Sequence, residues 1–580
     1  EVLSAKLFYE NEKMKKIFND DERRIIKEAI EDHRASLEYE PRSDYGKIIS
    51  SADRTTSIDS VLQRTHSYTT KHYPDLDLFQ MVERSYNHML KKYGGNGYAK
   101  NYCYDEEYEQ FKRHVETISK NKWEFAKKYL EVNKIMNLKE KAKIFAINAH
   151  MGQIRKSEPD KPMIIHPISV GMLLEEYGYD EPVIASGYLH DVVEDTKYTI
   201  EDIKREFGDE VANLVMGASE PDKSLSWEER KAHTIEETKK LPLRNKLVIC
   251  ADKINNLEDL MLKFQKSGNR DFSAFKRGEE QQKWYYTSVY ESLIYGEDEK
   301  LPIFKRLKNV LDIVFAEKED LYLRDTIFDD NREYYEKLKK LHAQKVELQK
   351  LKALCTLSKP FVIEFSGTPR TGKTTTINNL YDFFKKGGFN TAIIEEFTTS
   401  GYYKEVFKQK YKDVSSTESN MAIIEEVTRQ LEEALNSDKE IILIDRSVND
   451  RQIWNYRRYI RGDMSEELYL ESRGKYSVIS RKLIDFLVIT YAEPLISLKR
   501  DYNSSLALEK RNFLNIDNLN EYNRSLRDLQ ELFETSVEDS ILLDTSSMSM
   551  DEVSVEIASQ IMPAMRKRYI KSFKQKYNLR

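Results

Sequence analysis

The pattern of apolar and polar positions changes once along the chain, near Lys359. Before that point, apolar residues recur at the three- and four-residue spacing of amphipathic helices, for example over residues 22–29 and 108–132. After it, short β-branched runs alternate with longer helical segments, a pattern typical of parallel strands joined by helices. The sequence therefore predicts a multidomain protein in which all-α domains precede an α/β domain with a parallel sheet.

Breaks in this pattern divide the 580 residues into four predicted segments. They are a first helical domain, a second helical domain, a helical connector and the α/β domain, at residues 1–125, 126–316, 317–357 and 358–580. Polar stretches at 158–162 and 220–226 predict loops within the second domain. The four apolar runs PFVIEFSG, FNTAIIEEF, EIILIDRS and DFLVITYAEP predict the strands of the last one.

The connector contains a charged helix, predicted over residues 334–355. Leu341, Leu348 and Cys355 lie seven residues apart in it, which is the spacing of a coiled coil. Because the repeat is short, we expect a helix packed on a neighbouring domain instead.

Charge and cysteine content restrict the function classes. Lys and Arg total 93 against 99 Asp and Glu, for a net charge of −6, which disfavours a bulk nucleic-acid binder. No apolar run approaches the ~18 residues of a membrane span. Cys103, Cys250 and Cys355 are too few and too far apart for a disulfide framework, so we expect a cytoplasmic protein.

The tail after Ala564 is basic, with seven Lys and Arg residues and no acid. Tyr569, Phe573 and Tyr577 recur every four residues in it, which predicts a helix packed by one aromatic face. Nucleic-acid binding by this tail is the less favoured interpretation.

A glycine-rich stretch follows the strand predicted at 361–365. Its sequence, GTPRTGKT, fits G-x-x-x-x-G-K-[ST] and stands between that strand and a predicted helix. In such loops, backbone N–H groups hold phosphate oxygens, the lysine reaches the β and γ phosphates, and the hydroxyl coordinates Mg²⁺. We predict an ATP and Mg²⁺ site formed by eight residues: Gly367, Thr368, Pro369, Arg370, Thr371, Gly372, Lys373 and Thr374.

The predicted strand IILID ends at Asp445, and Arg446 follows. Ligands bind at the carboxyl edge of an open α/β sheet, where an acid serves Mg²⁺ or a substrate hydroxyl and an arginine holds phosphate. Together with TAIIEEF, DFLVITYAEPLISLKRD and LEKRNFLN, this region resembles the thymidylate-kinase and deoxynucleoside-kinase group. The resemblance implies that Asp445 acts in catalysis and that Arg446 binds the phosphate acceptor, which stays unidentified. It also implies an acceptor-facing Glu396 and lid residues Lys510 and Arg511.

Three of the ten histidines fall within 41 residues of the second domain, in a region rich in carboxylates. The stretch VIASGYLHDVVEDT predicts a helix that places His190, Asp191, Glu194 and Asp195 on adjoining strips of one face. Crowded carboxylates repel unless a cation lies among them. His166 and Asp252 complete a set of two imidazoles and two carboxylates, which suits Mn²⁺, Fe²⁺ or a similar ion.

The order of AHMGQIRK, IIHP, LHDVVEDT, FGDEVANLV and ADKINNLEDL resembles the hydrolase domain of the RelA/SpoT family, and most of all its small stand-alone alarmone hydrolases. The resemblance implies an HD-type helical fold that binds one metal ion, normally Mn²⁺. The implied ligands are His166, His190, Asp191 and Asp252. It also implies that Glu194 and Asp195 position or activate the attacking water.

The same resemblance implies a guanosine polyphosphate substrate, contacted by Arg155, Lys156 and Asn256. The two basic residues, predicted in a loop, suit a multiply anionic ligand. The implied reaction removes the 3′-pyrophosphate of guanosine tetra- or pentaphosphate, and no synthetase domain follows. Two alternatives stay open: a P-loop domain that senses nucleotide and gates the hydrolase, or another 2′- or 3′-phosphorylated nucleotide, such as NADPH, as substrate. The oligomeric state is not determined.

The first domain contains a partial motif. The stretch IEDHRASLEYEPRSDYGKIISSADR resembles the C-terminal half of another HD-type phosphohydrolase, whose late Asp closes the metal site. His33 is the first histidine here, so no upstream His-Asp pair accompanies Asp53. Either the natural N-terminus is missing or the domain is degenerate, and we expect no independent catalysis from it.

Overall fold

The structure is a computed structural model that describes residues 2–34, 36, 39–135, 137–155, 158–219, 224–267, 270–272, 275, 277–316, 332–412, 415–505 and 514–579. It divides into two compact units. The first contains residues 1–255, 283–308 and 576–580, and the second contains residues 256–282 and 309–575. Lys156, Lys510, Arg511, residues 220–223 of a predicted loop and residues 317–331 of the predicted connector lie outside the described residues.

The first unit begins with eight helices, as the helical pattern of residues 1–125 predicts. They are α1 (Val2–Glu10), α2 (Glu12–Lys15), α3 (Asp20–Asp32), α4 (Asp44–Ala52), α5 (Ile58–His72), α6 (Leu78–Tyr93), α7 (Glu106–Ser119) and α8 (Lys122–Val132). Side-chain caps start most of them. At α3, Asn19 accepts from the Glu22 N–H while the Glu22 carboxylate accepts from the Asn19 N–H, so two helix-end donors are satisfied.

The helices of the predicted hydrolase region follow. They are α9 (Leu138–Ala149), α10 (Ile165–Glu176), α11 (Glu181–Leu189), α12 (Val192–Asp195), α13 (Ile200–Phe207), α14 (Asp209–Ala218), α15 (Trp227–Lys240), α16 (Leu243–Ser267), α17 (Glu279–Ile294) and α18 (Pro302–Val314). The unit boundaries fall within α16, α17 and α18. Buried Phe145, Ile168, Leu174 and Leu189 belong to the core of this region.

A small hairpin departs from the predicted all-helical pattern. Strands β1 (Ile154–Arg155) and β2 (Glu158–Pro162) pair antiparallel, so the loop predicted at 158–162 was wrong. The stretch is polar and carries Pro159 and Pro162. Its pairing rests on backbone hydrogen bonds and not on an apolar periodicity that a sequence pattern reveals.

The second unit contains the helix α19 (Arg332–Leu354), which confirms the helix predicted at 334–355. Leu341, Leu348, Leu351 and Cys355 are buried along it. At 6 % exposure, Glu347 accepts from Arg566 at 2.8 Å and pairs with Lys266. The helix is therefore packed into the unit, as we expected, and is not an exposed connector.

The remaining elements of this unit form the α/β domain. They are β3 (Phe361–Gly367), α20 (Lys373–Lys386), β4 (Thr391–Ile394), α21 (Lys408–Lys410), α22 (Ser416–Leu435), β5 (Ile441–Asp445), α23 (Val448–Ile460), α24 (Glu466–Leu483), β6 (Phe486–Tyr491), α25 (Pro494–Ser505), α26 (Ile516–Asp528), α27 (Gln530–Ser536), β7 (Asp539–Asp544) and α28 (Met550–Lys576). Tyr569, Phe573 and Tyr577 are buried, which confirms the predicted packing face of the tail.

The five strands form one parallel sheet in the order β4-β5-β3-β6-β7. Four of them coincide with the predicted apolar runs, and β7 adds a fifth. The chain leaves the central β3 toward one side of the sheet and returns to the other side after β5. Ligand sites form where the strand order reverses in this way, outside the carboxyl ends of the strands. Among the described residues, no helix is long and apolar enough to cross a bilayer.

Two glycines allow α10 and α11 to cross closely. A Cβ on Gly171 would lie 2.4 Å from the Tyr188 ring, and one on Gly187 would lie 2.6 Å from Leu174 and 3.0 Å from the Gly171 Cα. Neither position has room for a side chain larger than hydrogen. This crossing matters because α10 carries His166 and α11 leads directly into His190.

We predict that Gly171→Ala destabilises the first unit by about 1–3 kcal/mol, because the added methyl overpacks a buried crossing. The measurement is the midpoint of its thermal unfolding transition, followed by protease susceptibility of the same region. Gly474 in α24 has no atom within 4 Å of a built Cβ, so Gly474→Ala is the matched control and should not destabilise. Equal effects of the two changes would contradict the packing argument.

Candidate functional site

Three elements bring the four predicted metal ligands together in the first unit. His166 is the second residue of α10, His190 and Asp191 link α11 to α12, and Asp252 lies on α16. The histidines are only 4 % and 3 % exposed. Ligand atoms of His166, His190 and Asp252 all lie within 4.8 Å of one another.

The distances define a compact cluster around the two imidazole Nε2 atoms, which are 3.2 Å apart. The Nε2 of His166 lies 3.1 Å from Asp252 Oδ1 and 3.6 Å from Asp191 Oδ2. The Nε2 of His190 lies 3.2 Å from Asp191 Oδ1 and 3.7 Å from Asp252 Oδ1. Both imidazole Nε2 atoms therefore lie within 3.7 Å of both carboxylates.

Hydrogen bonds at the opposite ring nitrogens orient both imidazoles. The Nδ1–H of His190 donates to the Gly187 carbonyl at 2.9 Å, and that of His166 donates to Asn255 Oδ1 at 2.7 Å. If both rings are neutral, each presents an Nε2 lone pair to the cluster, and the two lone pairs repel unless a proton or a cation lies between them. A divalent cation would remove that repulsion, and such oriented histidines are typical of metal sites. The donor set therefore fits a metal ion.

The charges of the cluster are strongly coupled. Burial alone would lower the pKa of His190, but the Asp191 and Asp252 carboxylates outweigh it and raise the pKa to about 9. Burial opposes ionisation of Asp252 as well, yet Lys253 and the two histidines hold its pKa well below the usual value. The protein thus keeps a carboxylate at this half-buried position.

One predicted helix is interrupted at the site. The helix predicted over VIASGYLHDVVEDT is divided into α11, which ends at Leu189, and the short α12. The Gly187 carbonyl, which an unbroken helix would use for the Asp191 N–H, accepts from the His190 ring instead. The single-helix prediction was wrong because a side-chain hydrogen bond competes with the backbone one.

The predicted water-activating residues lie on α12. Glu194 is half-buried, whereas Asp195 is exposed and its backbone carbonyl accepts from Gln153 Nε2 at 2.7 Å. The same Gln153 accepts from the buried His150 ring at 2.8 Å. This links the AHMGQIRK stretch to the end of α12.

The predicted substrate contacts are distributed over two elements. Arg155 is a half-buried residue of β1, and Asn256 is half-buried on α16. Arg155 lies in the hairpin and not in a loop as predicted. No side chain of Lys156 is described.

Sequence reasoning missed two residues that hold the ligands. Asn255 orients His166, and Lys253 donates to Asp252 Oδ2 at 2.7 Å. The stretch ADKINNLEDL contains both. Helical spacing places Asn255 and Asn256 almost equally close to Asp252, three and four residues on, so the pattern alone does not distinguish them.

In the second unit, the predicted phosphate loop joins β3 to α20. Gly367 and Gly372 have φ of +122° and +92°, which favours glycine. A Cβ on Gly367 would lie 1.9 Å from the Thr490 carbonyl oxygen. Within the loop, Thr368 donates to Asn523 Oδ1 at 2.6 Å, and the Thr371 hydroxyl lies 2.6 Å from that of Thr490.

The rest of the loop surrounds Lys373, the first residue of α20. Its Nζ donates to the carbonyls of Gly367 and Thr368 at 3.1 and 2.6 Å. Burial, together with the nearby Arg446 charge, lowers the pKa of Lys373 to about 7. Pro369 is half-buried, and Arg370, at φ +64°, pairs with Asp501.

The end of β5 faces the start of α20. Thr374 Oγ1 donates to Asp445 Oδ2 at 2.7 Å, while Asp445 Oδ1 is buried without a hydrogen-bond partner. Burial raises the pKa of Asp445, although the Thr374 hydrogen bond and the charges of Lys373 and Arg446 oppose the shift. Mg²⁺ prefers oxygen ligands, and the Thr374 hydroxyl and the free carboxylate oxygen of Asp445 provide two of them side by side.

Arg446 is held rigidly beside the loop, with φ +59°. It donates to Asp450 at 2.8 Å and to the Gly367 carbonyl at 3.2 Å, and its Nε lies 3.4 Å from Glu396. Glu396 also accepts from Thr398 at 2.6 Å. Asp445, Arg446 and Glu396 therefore meet at one sheet edge, as the strand-end argument predicts.

A buried acid supports this edge. Glu364, in the middle of β3, accepts from the backbone N–H groups of Ser447, Asn449 and Asp450 at 3.0, 2.9 and 3.1 Å. Burial raises its pKa to about 7, although these donors oppose the shift. The lone acid in the run PFVIEFSG was the signal that could have revealed it.

The partial motif of the first domain forms no comparable cluster among the described residues. His33 Nδ1 donates to the Ile30 carbonyl at 2.6 Å, and Asp53 ends α4. Arg54 donates to Ser50 and to the carbonyls of Lys100 and His33. These contacts connect helices of the first domain.

Comparisons with known proteins match the α/β domain and the predicted hydrolase domain separately. Residues 362–483 match the AAA domain family. A solved structure of deoxyadenosine kinase from M. mycoides is 17 % identical and covers 34 % of this chain and 96 % of that chain, with a TM-score of 0.26.

Residues 142–274 match the HD domain family. The guanosine-3′,5′-bis(diphosphate) 3′-pyrophosphohydrolase MESH1 of Drosophila melanogaster is 41 % identical over 120 residues, which are 20 % of this chain and 66 % of that protein. A probable enzyme of the same name from Synechocystis is 38 % identical over 122 residues, 20 % of this chain and 16 % of that protein. Residues 142–274 are therefore an HD domain homologous to the guanosine-3′,5′-bis(diphosphate) 3′-pyrophosphohydrolases.

Proposed function

We propose that the HD domain hydrolyses the 3′-pyrophosphate of guanosine tetra- or pentaphosphate with a bound divalent cation, Mn²⁺, and returns GDP or GTP. The observation that carries the proposal is the pair of imidazole Nε2 atoms, 3.2 Å apart, between two carboxylates. Homology to pyrophosphohydrolases of this specificity supports the substrate.

Different residues of the HD domain have different roles in this reaction. A bound cation supplies charge neutralisation at the pyrophosphate and lowers the pKa of water. Glu194 and Asp195 take the proton of the attacking water, because a carboxylate next to the ligands is the available base. Arg155 and Lys156 hold the anionic substrate by charge-assisted hydrogen bonds.

We predict that Asp191→Ala and His166→Ala each lower Mn²⁺-dependent pyrophosphate release by about 100-fold or more, because each removes a ligand. The assay is product analysis with guanosine tetraphosphate, with NADPH as the competing substrate. His72→Ala, at an exposed position in α5, is the control and should keep full activity. Unchanged rates in the ligand variants would contradict the proposed site. Turnover of NADPH without turnover of guanosine tetraphosphate would identify NADPH as the substrate instead.

We predict that Asn255→Leu weakens Mn²⁺ binding about 10- to 100-fold, because it removes the acceptor that orients His166. The measurement is titration of the metal-free protein with Mn²⁺ by calorimetry. Adding more Mn²⁺ should restore much of the activity. A loss of activity with unchanged affinity for Mn²⁺ would contradict this role.

We also propose that the α/β domain binds Mg·ATP and transfers its terminal phosphoryl group to an acceptor. The free Asp445 oxygen beside Thr374 and the buried Lys373 support this proposal. A nucleotide sensor would bind ATP through the same residues and transfer nothing. Incubation with labelled ATP and a panel of nucleosides and nucleoside monophosphates separates the two, since only a kinase yields labelled acceptor.

We predict that ATP binding at pH 8 takes up a proton. Free Lys373, with its pKa lowered to about 7, is mostly neutral at pH 8, whereas bound phosphates favour the ammonium. Affinity should therefore fall as the pH rises above 7. Calorimetry in buffers of different ionisation enthalpy measures the uptake, and Lys373→Met should abolish it. Proton release on binding would refute the assignment.

A further inference from the structure

One buried histidine of the first unit has no part in the reaction proposed above. His150 follows the last residue of α9 and is 1 % exposed. Burial lowers the pKa of its ring, and the Gln153 hydrogen bond and the charges of Asp191 and Asp195 oppose that shift only in part. The ring is therefore uncharged at about pH 7, and it lies within electrostatic range of Asp191, a predicted metal ligand.

A tight turn brings this histidine next to Gln153. The Gln153 N–H donates to the His150 carbonyl at 3.0 Å, and Gly152 lies at φ +83° in the third position of the turn, where glycine is favoured. The Gln153 carbonyl also accepts from the Met163 N–H at 3.0 Å. The backbone of Gln153 is thus fixed on both sides, and its side chain starts from a defined position.

The hydrogen bonds of the Gln153 amide determine which ring nitrogen of His150 carries the proton. Gln153 Nε2 donates to the backbone carbonyl of Asp195 at 2.7 Å, and a carbonyl can only accept. The other amide atom, Oε1, therefore accepts from His150 Nδ1 at 2.8 Å. The neutral ring thus carries its proton on Nδ1. Its Nε2 is buried and has no hydrogen-bond partner among the described residues.

This chain of hydrogen bonds ends on a helix that is too short to be stable by itself. The helix α12 has four residues, so its carbonyls lack the partners that a longer helix provides. The Val192 carbonyl accepts from the N–H and the hydroxyl of Thr196, at 3.1 and 2.6 Å. The Asp195 carbonyl accepts from Gln153, which lies outside the helix. The Gln153 amide therefore fixes the end of α12 that carries Glu194 and Asp195.

We propose that His150 and Gln153 are positioning residues of the hydrolase site. His150 orients the Gln153 amide, and that amide holds the backbone of Asp195. The carboxylates of Glu194 and Asp195 then keep their position beside the predicted metal ligands. Neither His150 nor Gln153 contacts the substrate in this role. The inference rests on the hydrolase function proposed above and adds two residues to it.

The first test removes each hydrogen-bonding group. His150→Phe keeps an aromatic ring without the Nδ1 donor, and Gln153→Met keeps the side-chain length without the amide. Each should lower kcat for guanosine tetraphosphate about 10- to 100-fold at saturating Mn²⁺, because a misplaced base reacts slowly. KM and the affinity for Mn²⁺ should change less than about 3-fold, since the substrate contacts and ligands are kept. A loss confined to KM or to Mn²⁺ affinity would overturn the proposal.

The double variant tests whether the two residues act as one chain. If His150 acts through Gln153, the double variant should be no slower than Gln153→Met alone, because the interaction is already lost. Rate losses that multiply would show that His150 acts independently and would overturn its assignment.

His150→Asn is the conservative variant. The asparagine amide nitrogen can replace the imidazole Nδ1 as the donor to Gln153, but no atom of asparagine replaces Nε2. Most of the kcat that His150→Phe loses should therefore return in His150→Asn. An asparagine variant as slow as the phenylalanine variant would place the effect at Nε2 or in packing, and the positioning role would be wrong.

Amide hydrogen exchange gives a readout that does not need catalysis. His150→Phe and Gln153→Met should each speed exchange of the Asp195 and Thr196 N–H groups about 10-fold or more, because the end of α12 opens more readily. His66→Phe is the matched control, since it removes a histidine whose Nδ1 lies 2.7 Å from the Tyr129 hydroxyl in the first domain. This control can lower the midpoint of thermal unfolding, but kcat and exchange in α12 should not change.

Exchange and kinetics distinguish the positioning role from the hydrolase function. Unchanged exchange at the end of α12 in both variants would overturn the positioning role, whatever the substrate is. The expected exchange, in a protein whose wild type does not hydrolyse guanosine tetraphosphate, would contradict the proposed substrate alone.

Discussion

Two imidazole rings whose free nitrogens face each other across 3.2 Å impose the main constraint on the first unit. Neutral rings in this arrangement repel, and protonated rings beside each other do so more strongly, so the geometry is stable only with a cation or shared proton between carboxylates. The surrounding structure is organised to hold it. Gly187 supplies a carbonyl to one ring, Asn255 an amide oxygen to the other, and the close crossing at Gly171 positions the two helices.

The second unit is subject to a different constraint: charged groups must lie at one edge of a sheet and still have partners. The parallel strands direct the phosphate loop, Asp445 and Glu396 to the same edge. Glu364 satisfies three backbone donors at the start of α23, so the helix begins in the correct place. The free oxygen of Asp445 is the position where hydrogen bonding is incomplete, and it is open to a ligand, since natural cores seldom leave buried polar atoms unpaired.

Much of this was accessible from sequence. The switch from helical to strand periodicity predicted both fold classes, and the glycine-rich motif predicted the loop between β3 and α20. The four predicted metal ligands followed from residue type and spacing. Such features depend on local patterns, which tertiary structure seldom overrides when several agree.

Other features could not be predicted, because each depends on a particular hydrogen bond, whether its partners are near or distant in sequence. The hairpin at Arg155, the break between α11 and α12, and the choice of Asn255 as the partner of His166 arise from hydrogen bonds that no periodicity encodes. The sequence by itself determined which groups carry the chemistry, since residue type and spacing specify ligands and phosphate loops. Only the tertiary structure decided which of them are paired and which are left for a ligand, because pairing depends on helices and strands that meet far from one another in the chain.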